Sequence, residues 1–313
     1  MLRFLLGRVV ATVPVMGVVA TLVFLLLRLA PGDPAAILAG DIATPEQIAA
    51  IRRRLGLDEP VLVQFGDWIW RLMHGDLGTS IISNQPVTKL IAERLEPTLA
   101  LAATTIVFAV CVAVPLGVLA AWRHGSWIDR AVMALSVIGF SVPVFVLGYA
   151  WIFALAMKLQ WLPVQGFVSL SQGFVPFIER LILPTLTLSV IYIALIARIT
   201  RASVLEILGE DYIRTAHAKG VGERAVLTRH ALRNAAVPIL SVIGIGIALL
   251  ISGVVVTESV FNLPGLGRLT VDAVLARDYP VIQGIILIFS GVYVLINLAV
   301  DVSYTLFDPR IRY

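Results

Sequence analysis

Charge is what this chain has least of. Only 14% of its 313 residues are Asp, Glu, Lys or Arg, against 59% hydrophobic. That balance excludes an ordinary soluble domain and points to a chain that crosses a membrane several times. Cysteine is nearly absent too. The single Cys111 rules out a disulfide framework or a cysteine metal site, and it reads as a small packing residue. No GxxxxGK[ST] phosphate loop is present; the nearest glycine cluster is Gly265-Leu266-Gly267-Arg268, in a proline-containing turn, so the chain is not expected to hydrolyse ATP. His74, His124, His217 and His230 fall in three separate segments, and only the last two share a loop, without a nucleophile and acid spaced as a triad, so no catalytic residue is expected. The net charge of +4 does not imply nucleic acid, because the basic residues lie between apolar runs with no groove-reading motif.

What is there is a series of long apolar runs. A bilayer core of about 30 Å takes roughly 20 apolar residues as a helix. Six segments qualify: 9–29, 98–121, 131–157, 181–199, 237–258 and 281–303. The first is too long for the apolar region of a signal peptide and reads as an uncleaved span. Basic residues set the orientation. One side holds twelve, running from Arg3 and Arg8 through Arg123, Arg130, Arg201, Arg214, Lys219, Arg224, Arg229 and Arg233 to Arg310 and Arg312; the other holds Lys158, Arg180, Arg268 and Arg277. Both termini and the 200–236 segment are therefore expected in the cytoplasm, with residues 31–97 outside.

The span interiors carry no midplane acid, base or histidine of the kind an ion-coupled carrier needs. Glu258 falls near the outer end of span five. Ser141, Tyr192, Ser252, Tyr293 and Asn297 are neutral polar groups that could line a passage, although helix-to-helix hydrogen bonding is the commoner use of such residues. The outer segment reads as folded. Thr44, Pro45 and Gln47 suit a helix start, Ile48, Ile51 and Leu55 form a stripe, and Gly56 can end it. A second helix after Asp58 is expected to bury Leu62, Phe65, Ile69 and Leu72 and to stop at Gly75; a third stretch from Asn84 to Leu95 leads through Pro97 into span two.

Charge concentrates in the 200–236 segment, where EDYIRTAHAKG occupies 210–220. Leu205, Leu208, Tyr212 and Ala216 recur at helical spacing, Gly220 and Gly222 interrupt, and a second helix is expected from about Glu223 to Asn234. A helix, turn and helix thus projects from the membrane. An amphipathic pair lying on lipid headgroups is the alternative reading of the same residues.

DYIRTAHAKGVGERAVLTRHALRNAAVP resembles the cytoplasmic signature loop of type I ABC importer permeases. PGDP at 31–34, LGLDEP at 55–60, HGDLGTS at 74–80, LPGLGR at 263–268, RDYPVIQG at 277–284 and DPRIRY at 308–313 narrow the resemblance to the dipeptide, oligopeptide, glutathione and nickel permease family. It covers the whole chain. On the family loop, Arg214-Thr215-Ala216 stands at the EAA triplet and Gly220 at its glycine, while Arg233 replaces the proline of many sugar permeases.

The resemblance implies an all-α polytopic protein with six transmembrane helices. It divides into an N-terminal helix and outer helical segment (1–97), a five-helix core carrying the loop (98–306), and a cytoplasmic tail (307–313). It further implies a subunit of the bacterial inner membrane that works with a second, homologous permease, two ATP-binding cassette ATPases and a periplasmic or lipid-anchored binding protein. ATP and Mg would be bound by the ATPases, with no cofactor or metal in this chain. Asp211, Tyr212, Arg214, Thr215, Ala216, Lys219, Gly220, Arg233 and Asn234 would form the ATPase-docking coupling helix and its surroundings. Tyr212 and Ala216 would fill the socket, and Arg214, Lys219 and Arg233 would meet acidic groups. Peptide cargo is expected; glutathione, opine or nickel-chelate import and an ATP-independent carrier, pore or signalling scaffold are the alternatives.

Overall fold

The computed structural model describes residues 2–29, 35–36, 43–54 and 56–307, with side chains for all of these except 2–6, 9, 26–27, 51, 54, 251–253 and 304–307. The PGDP and DPRIRY matches and the Ser252 side chain lie outside the described residues. What is described is helical, and the only pairing of extended chain among it is one isolated bridge, Thr79 with Pro86. In chain order the helices are α1 (Leu2–Leu29), α2 (Pro45–Arg54), α3 (Val61–Met73), α4 (Val87–Trp122), α5 (Trp127–Ser141) and α6 (Val144–Lys158). There follow α7 (Phe174–Leu208), α8 (Asp211–Ala218), α9 (Glu223–Asn234), α10 (Ala236–Val260), α11 (Leu266–Leu275) and α12 (Tyr279–Phe307).

By length and composition α4, α7 and α12 are each able to cross a bilayer, and α1 carries a shorter apolar run, Val10–Leu25. Two bent pairs, α5 with α6 (102°) and α9 with α10 (61°), raise the number to five if each is one span. The expected span over 131–157 is thus not one straight helix. Pro143 removes a backbone donor and pushes Val142 to φ −89°, ψ 123°, so α5 ends at Ser141 and α6 restarts beyond the proline. Pro97, by contrast, does not break the chain: the stretch read as leading through it into span two does so without interruption, as the 36-residue α4.

The described chain divides into two compact units. In the first, residues 1–95 with 269–292, Thr44 N donates to Gln47 Oε1 at 2.9 Å and opens α2 at Pro45. Phe24 of α1 packs its ring 5.0 Å from Phe65 and 5.6 Å from Trp68 of α3. Leu62, expected on that buried face, is 84% exposed, whereas Phe65, Ile69 and Leu72, expected beside it, are partly buried. Ser80 Oγ donates to Asp278 Oδ2 and Ile81 N to Oδ1, so a carboxylate just before α12 pins the 76–86 loop.

The second unit, residues 96–268 with 293–313, holds the main core. Leu101, Leu181, Leu188, Ile196, Leu250 and Phe261 are fully or almost fully buried there. Close crossings depend on missing side chains: a Cβ on Gly117 would lie 2.6 Å from Thr200 Cβ, and one on Gly244 2.4 Å from Val300 Cγ2. Cys111 is exposed on α4 and not packed in the core, so its place in an apolar run reflects the surface that a spanning helix presents.

Candidate functional site: a polar elbow on a buried root

The charged segment folds into α8, a tight turn, and α9. Asp211 places an acid in the first turn of α8, where it complements the helix dipole. The C-terminus closes as a Schellman motif. Gly220 N donates to His217 O at 2.9 Å and Val221 N to Ala216 O at 3.1 Å, with Gly220 at φ +78°. A Cβ at Gly220 would meet nothing within 4 Å. Glycine is therefore required by backbone conformation, and the space beside it is open.

The helix has two faces. Ile213 (1% exposed) and Ala216 (8%) turn inward, towards the π-wound middle of α9, Val226–Ala231. Ala216 is thus built into the elbow's own packing and cannot fill a partner's socket, which corrects the expectation for that residue. Asp211, Tyr212, Arg214, Thr215, Lys219 and Gly220 all face solvent, as do Arg233 and Asn234 on α9. Arg214 pairs with Asp211, Thr215 Oγ1 donates to Asp211 O at 3.1 Å, and Asn234 Nδ2 donates to the Tyr212 hydroxyl at 3.0 Å. Tyr212 is accordingly held in place, 41% exposed. His217 Nε2 lies 3.4 Å from Glu223 Oε1, across the turn. The outer surface of the elbow is a small polar knob with one anchored aromatic ring, the composition of a protein contact.

The knob is firmly rooted. Ala231 of α9 and Ala235, between α9 and α10, pack with Ala121 of α4, Val204 of α7 and Ile239 of α10, all at most 5% exposed. A force on α8 therefore reaches three long helices through close-packed apolar contacts. Beside the root, Arg201 of α7 binds Asp129 of α5 with two parallel bonds, Nε to Oδ1 at 2.5 Å and Nη2 to Oδ2 at 2.8 Å. Gly125 N donates to the same carboxylate at 2.9 Å, and His124 Nδ1 lies 3.3 Å away. The spacing Ser126-x-x-Asp129 is a capping-box pattern that sequence reading left unused; the 72-residue separation from Arg201 left no local signal.

The polar residues proposed for a passage do not share one setting. Tyr192 (4% exposed) is in the core, where its ring faces Gly246. Glu258 (0%) is buried too. Its carboxylate accepts from Thr98 Oγ1 at 2.6 Å and from Arg268 N at 3.0 Å, while Leu266 N donates to Thr98 Oγ1 at 2.8 Å. Thr98 and Glu258 together cap the first turn of α11. Gly265 leaves the space for this: a Cβ there would sit 2.0 Å from Glu258 Oε1. LPGLGR is therefore the start of a helix built around a buried carboxylate, and not merely a turn. Ser141, Tyr293 and Asn297 are exposed, with Tyr293 and Asn297 one turn apart on α12. Among the described residues no group of three or more His, Cys, Asp or Glu is placed to hold a metal ion.

Helices of bilayer-crossing length, with a polar elbow fixed to them, define the described residues as those of a membrane-spanning helical protein. Comparison with known proteins agrees. Residues 113–313 match the family described as binding-protein-dependent transport system inner membrane component, and residues 1–102 match its N-terminal membrane-component model. The chain belongs to this family. It is 56% identical over 310 residues to a probable peptide ABC transporter permease protein of Sinorhizobium fredii, covering 99% of each chain. It is 47% identical to a putative peptide transport system permease protein of Brucella abortus and 45% identical to the glutathione transport system permease protein GsiC of Salmonella typhimurium, covering the whole of each. The fold is shared with an inward-facing crystal structure of the MetNI methionine ABC transporter (TM-score 0.58, 20% identity, 71% of this chain and 97% of that one).

Proposed function

We propose that this chain forms one half of the passage of an ATP-driven importer for peptides, in the bacterial inner membrane, with six spans and both termini in the cytoplasm. A second, homologous permease supplies the other half, and a binding protein outside the membrane delivers cargo. Two ATPase subunits bind ATP and Mg and receive the α8 elbow of each permease. The observation that carries this reading is the elbow itself: a solvent-facing knob whose inner face is packed onto a root continuous with α4, α7 and α10. A lipid-lying amphipathic helix would put its apolar face outward, whereas Ile213 and Ala216 of α8 face the protein.

Closure of the ATPases on ATP would draw the two elbows together, and the packed root would turn that movement into a swing between inward and outward openings. Tyr212, Arg214, Thr215, Lys219, Gly220, Arg233 and Asn234 are assigned to the docking contact, with Asp211 orienting Arg214. Ser141, Tyr293 and Asn297 are assigned to the passage as its open polar groups. Peptide is favoured over glutathione because the higher-identity relatives carry peptide names. Reconstitution tests the whole reading. We expect ATP-dependent peptide uptake with the ATPases, second permease and binding protein present, and none from this chain alone. Uptake by the chain alone, indifferent to ATP, would exclude it.

A further inference from the structure

The first unit contains a cavity of about 400 Å³, within the range of small-molecule pockets, roughly 300–1,000 Å³. Its walls come from the end of α1 (Phe24, Arg28), one face of α3 (Gln64, Asp67, Trp68, Arg71), the loop carrying Leu77 and Ile81, and the first turns of α12 (Tyr279, Gln283). Four features make it a built site. Gln283 is 9% exposed and its amide has no hydrogen-bond partner among the described residues. Tyr279, one turn earlier on the same face and also 9% exposed, has a hydroxyl equally without a partner there. Asp67 and Arg71 stand four apart with the acid first, the order that ordinarily pairs on a helix, yet they form no ion pair among the described residues and both line the cavity. The wall between them is aromatic and aliphatic: Trp68, Phe24, Leu57, Leu77 and Ile81.

Not every charge at the cavity is available. Arg28 is committed to Gln64 Oε1 and to the Phe24 ring, its guanidinium 3.4 Å from the ring centre. Asp76 accepts from Gly78 N at 2.8 Å. Among the described residues, Arg71, Asp67 and Glu59 line the cavity with charged side chains that make no ion pair or side-chain hydrogen bond. A planar guanidinium suits a carboxylate, a carboxylate suits an ammonium, and an unpaired side-chain amide beside a phenol suits a peptide group.

We propose that this cavity binds short zwitterionic peptides by their two free ends. Arg71 takes the terminal carboxylate, Asp67 or Glu59 the terminal ammonium, and Gln283 and Tyr279 a peptide group between them. Resting on the peptide-import reading and its orientation, the site is a waiting position on the outer side of the membrane, where cargo is held before it enters the passage. Recognition is by the termini, so side-chain identity matters little, as a carrier of mixed peptides requires.

The test uses the full chain in nanodiscs of phosphatidylglycerol, with radiolabelled trialanine as ligand and N-acetyl-trialanine amide as competitor. Saturable trialanine binding is expected, with no competition from the blocked peptide. Arg71→Ala and Gln283→Leu should each weaken it by about tenfold or more, and Arg71→Lys by less. Arg71 is on an exposed helix face, so its replacement leaves the fold intact. No saturable binding, equal competition by the blocked peptide, or unchanged affinity in Arg71→Ala would overturn the proposal. So would loss of binding in phosphatidylethanolamine discs, which would make the cavity a lipid-headgroup site. Because no ATPase or binding protein is present, failure here beside intact ATP-driven uptake would remove this site and leave the import reading standing.

Discussion

Asp129→Ala is the substitution whose consequence follows most directly from the geometry beside the coupling root. The Asp129 side chain is 5% exposed and receives two bonds from Arg201 and one from Gly125 N. Removing one partner of a buried pair typically costs about 3–5 kcal/mol, because the other charge is left without compensation. Arg201 is 20% exposed, so water recovers part of that, and about 2–3 kcal/mol remains. The vacated Gly125 N–H adds about 0.5–1 kcal/mol. The sum, about 3 kcal/mol, corresponds to a fall in apparent Tm of roughly 4–5 °C for a chain of this size. Thermal unfolding of the purified chain in detergent reads it, with Glu93→Ala as the internal standard. Glu93 pairs with Lys89 at 3.8 Å with both side chains more than half exposed, and such a pair contributes no more than about 0.5 kcal/mol. The double variant Asp129→Leu with Arg201→Met should lie closer to wild type than Asp129→Ala does. If Asp129→Ala and Glu93→Ala unfold within a degree of one another, the latch carries no load and the reasoning fails.

Other substitutions separate conformation from contact. Gly220→Ala is expected to cost about 1–2 kcal/mol through its left-handed backbone and to retain some coupling, since the space around it is open. Gly220→Pro cannot reach φ +78° and loses the bond to His217 O, so it should insert normally yet abolish cargo-stimulated ATP hydrolysis; normal stimulation would remove the elbow from the coupling path. Gly267→Ala drives a Cβ to 2.6 Å from Val255 Cα, and a backbone neighbour cannot step aside, so yield and Tm should both fall; an unchanged Tm would show α11 to be free to shift. Glu258→Ala leaves Arg268 N without its carboxylate and should lower stability by about 1–3 kcal/mol. It should not alter cargo preference, and a changed preference would return Glu258 to the passage.

The long helices and the polar elbow were legible because their signals are local. Apolar runs exceed the bilayer thickness, Thr44-Pro45-x-Gln47 opens α2, and Gly220 follows the last turn of α8. What escaped depends on partners distant in the chain. Glu258 looked like a solitary acid near a span's end, and only the fold brings Thr98 and the α11 first turn to it. Asp129 drew no attention and Arg201 counted only among the basic residues that set the orientation, for the same reason. Pro143 and Pro97 illustrate a different limit: each sits within or beside an apolar run, yet one bends its pair by 102° and the other is absorbed into a continuous helix. The residue type permits both outcomes, and the surrounding packing selects between them. Ala216 lay on a helical stripe with Tyr212, but four residues of helix advance slightly more than one turn. At this elbow the difference leaves one buried and the other exposed.

Site-specific photocrosslinking at Lys219 bears most directly on the claim that motive force enters through the α8 elbow. In membranes holding the assembled transporter, a crosslinker at Lys219 should trap the ATPase subunit, and the yield should change on adding ATP. Capture of phospholipid alone, with no polypeptide in either condition, would contradict the account.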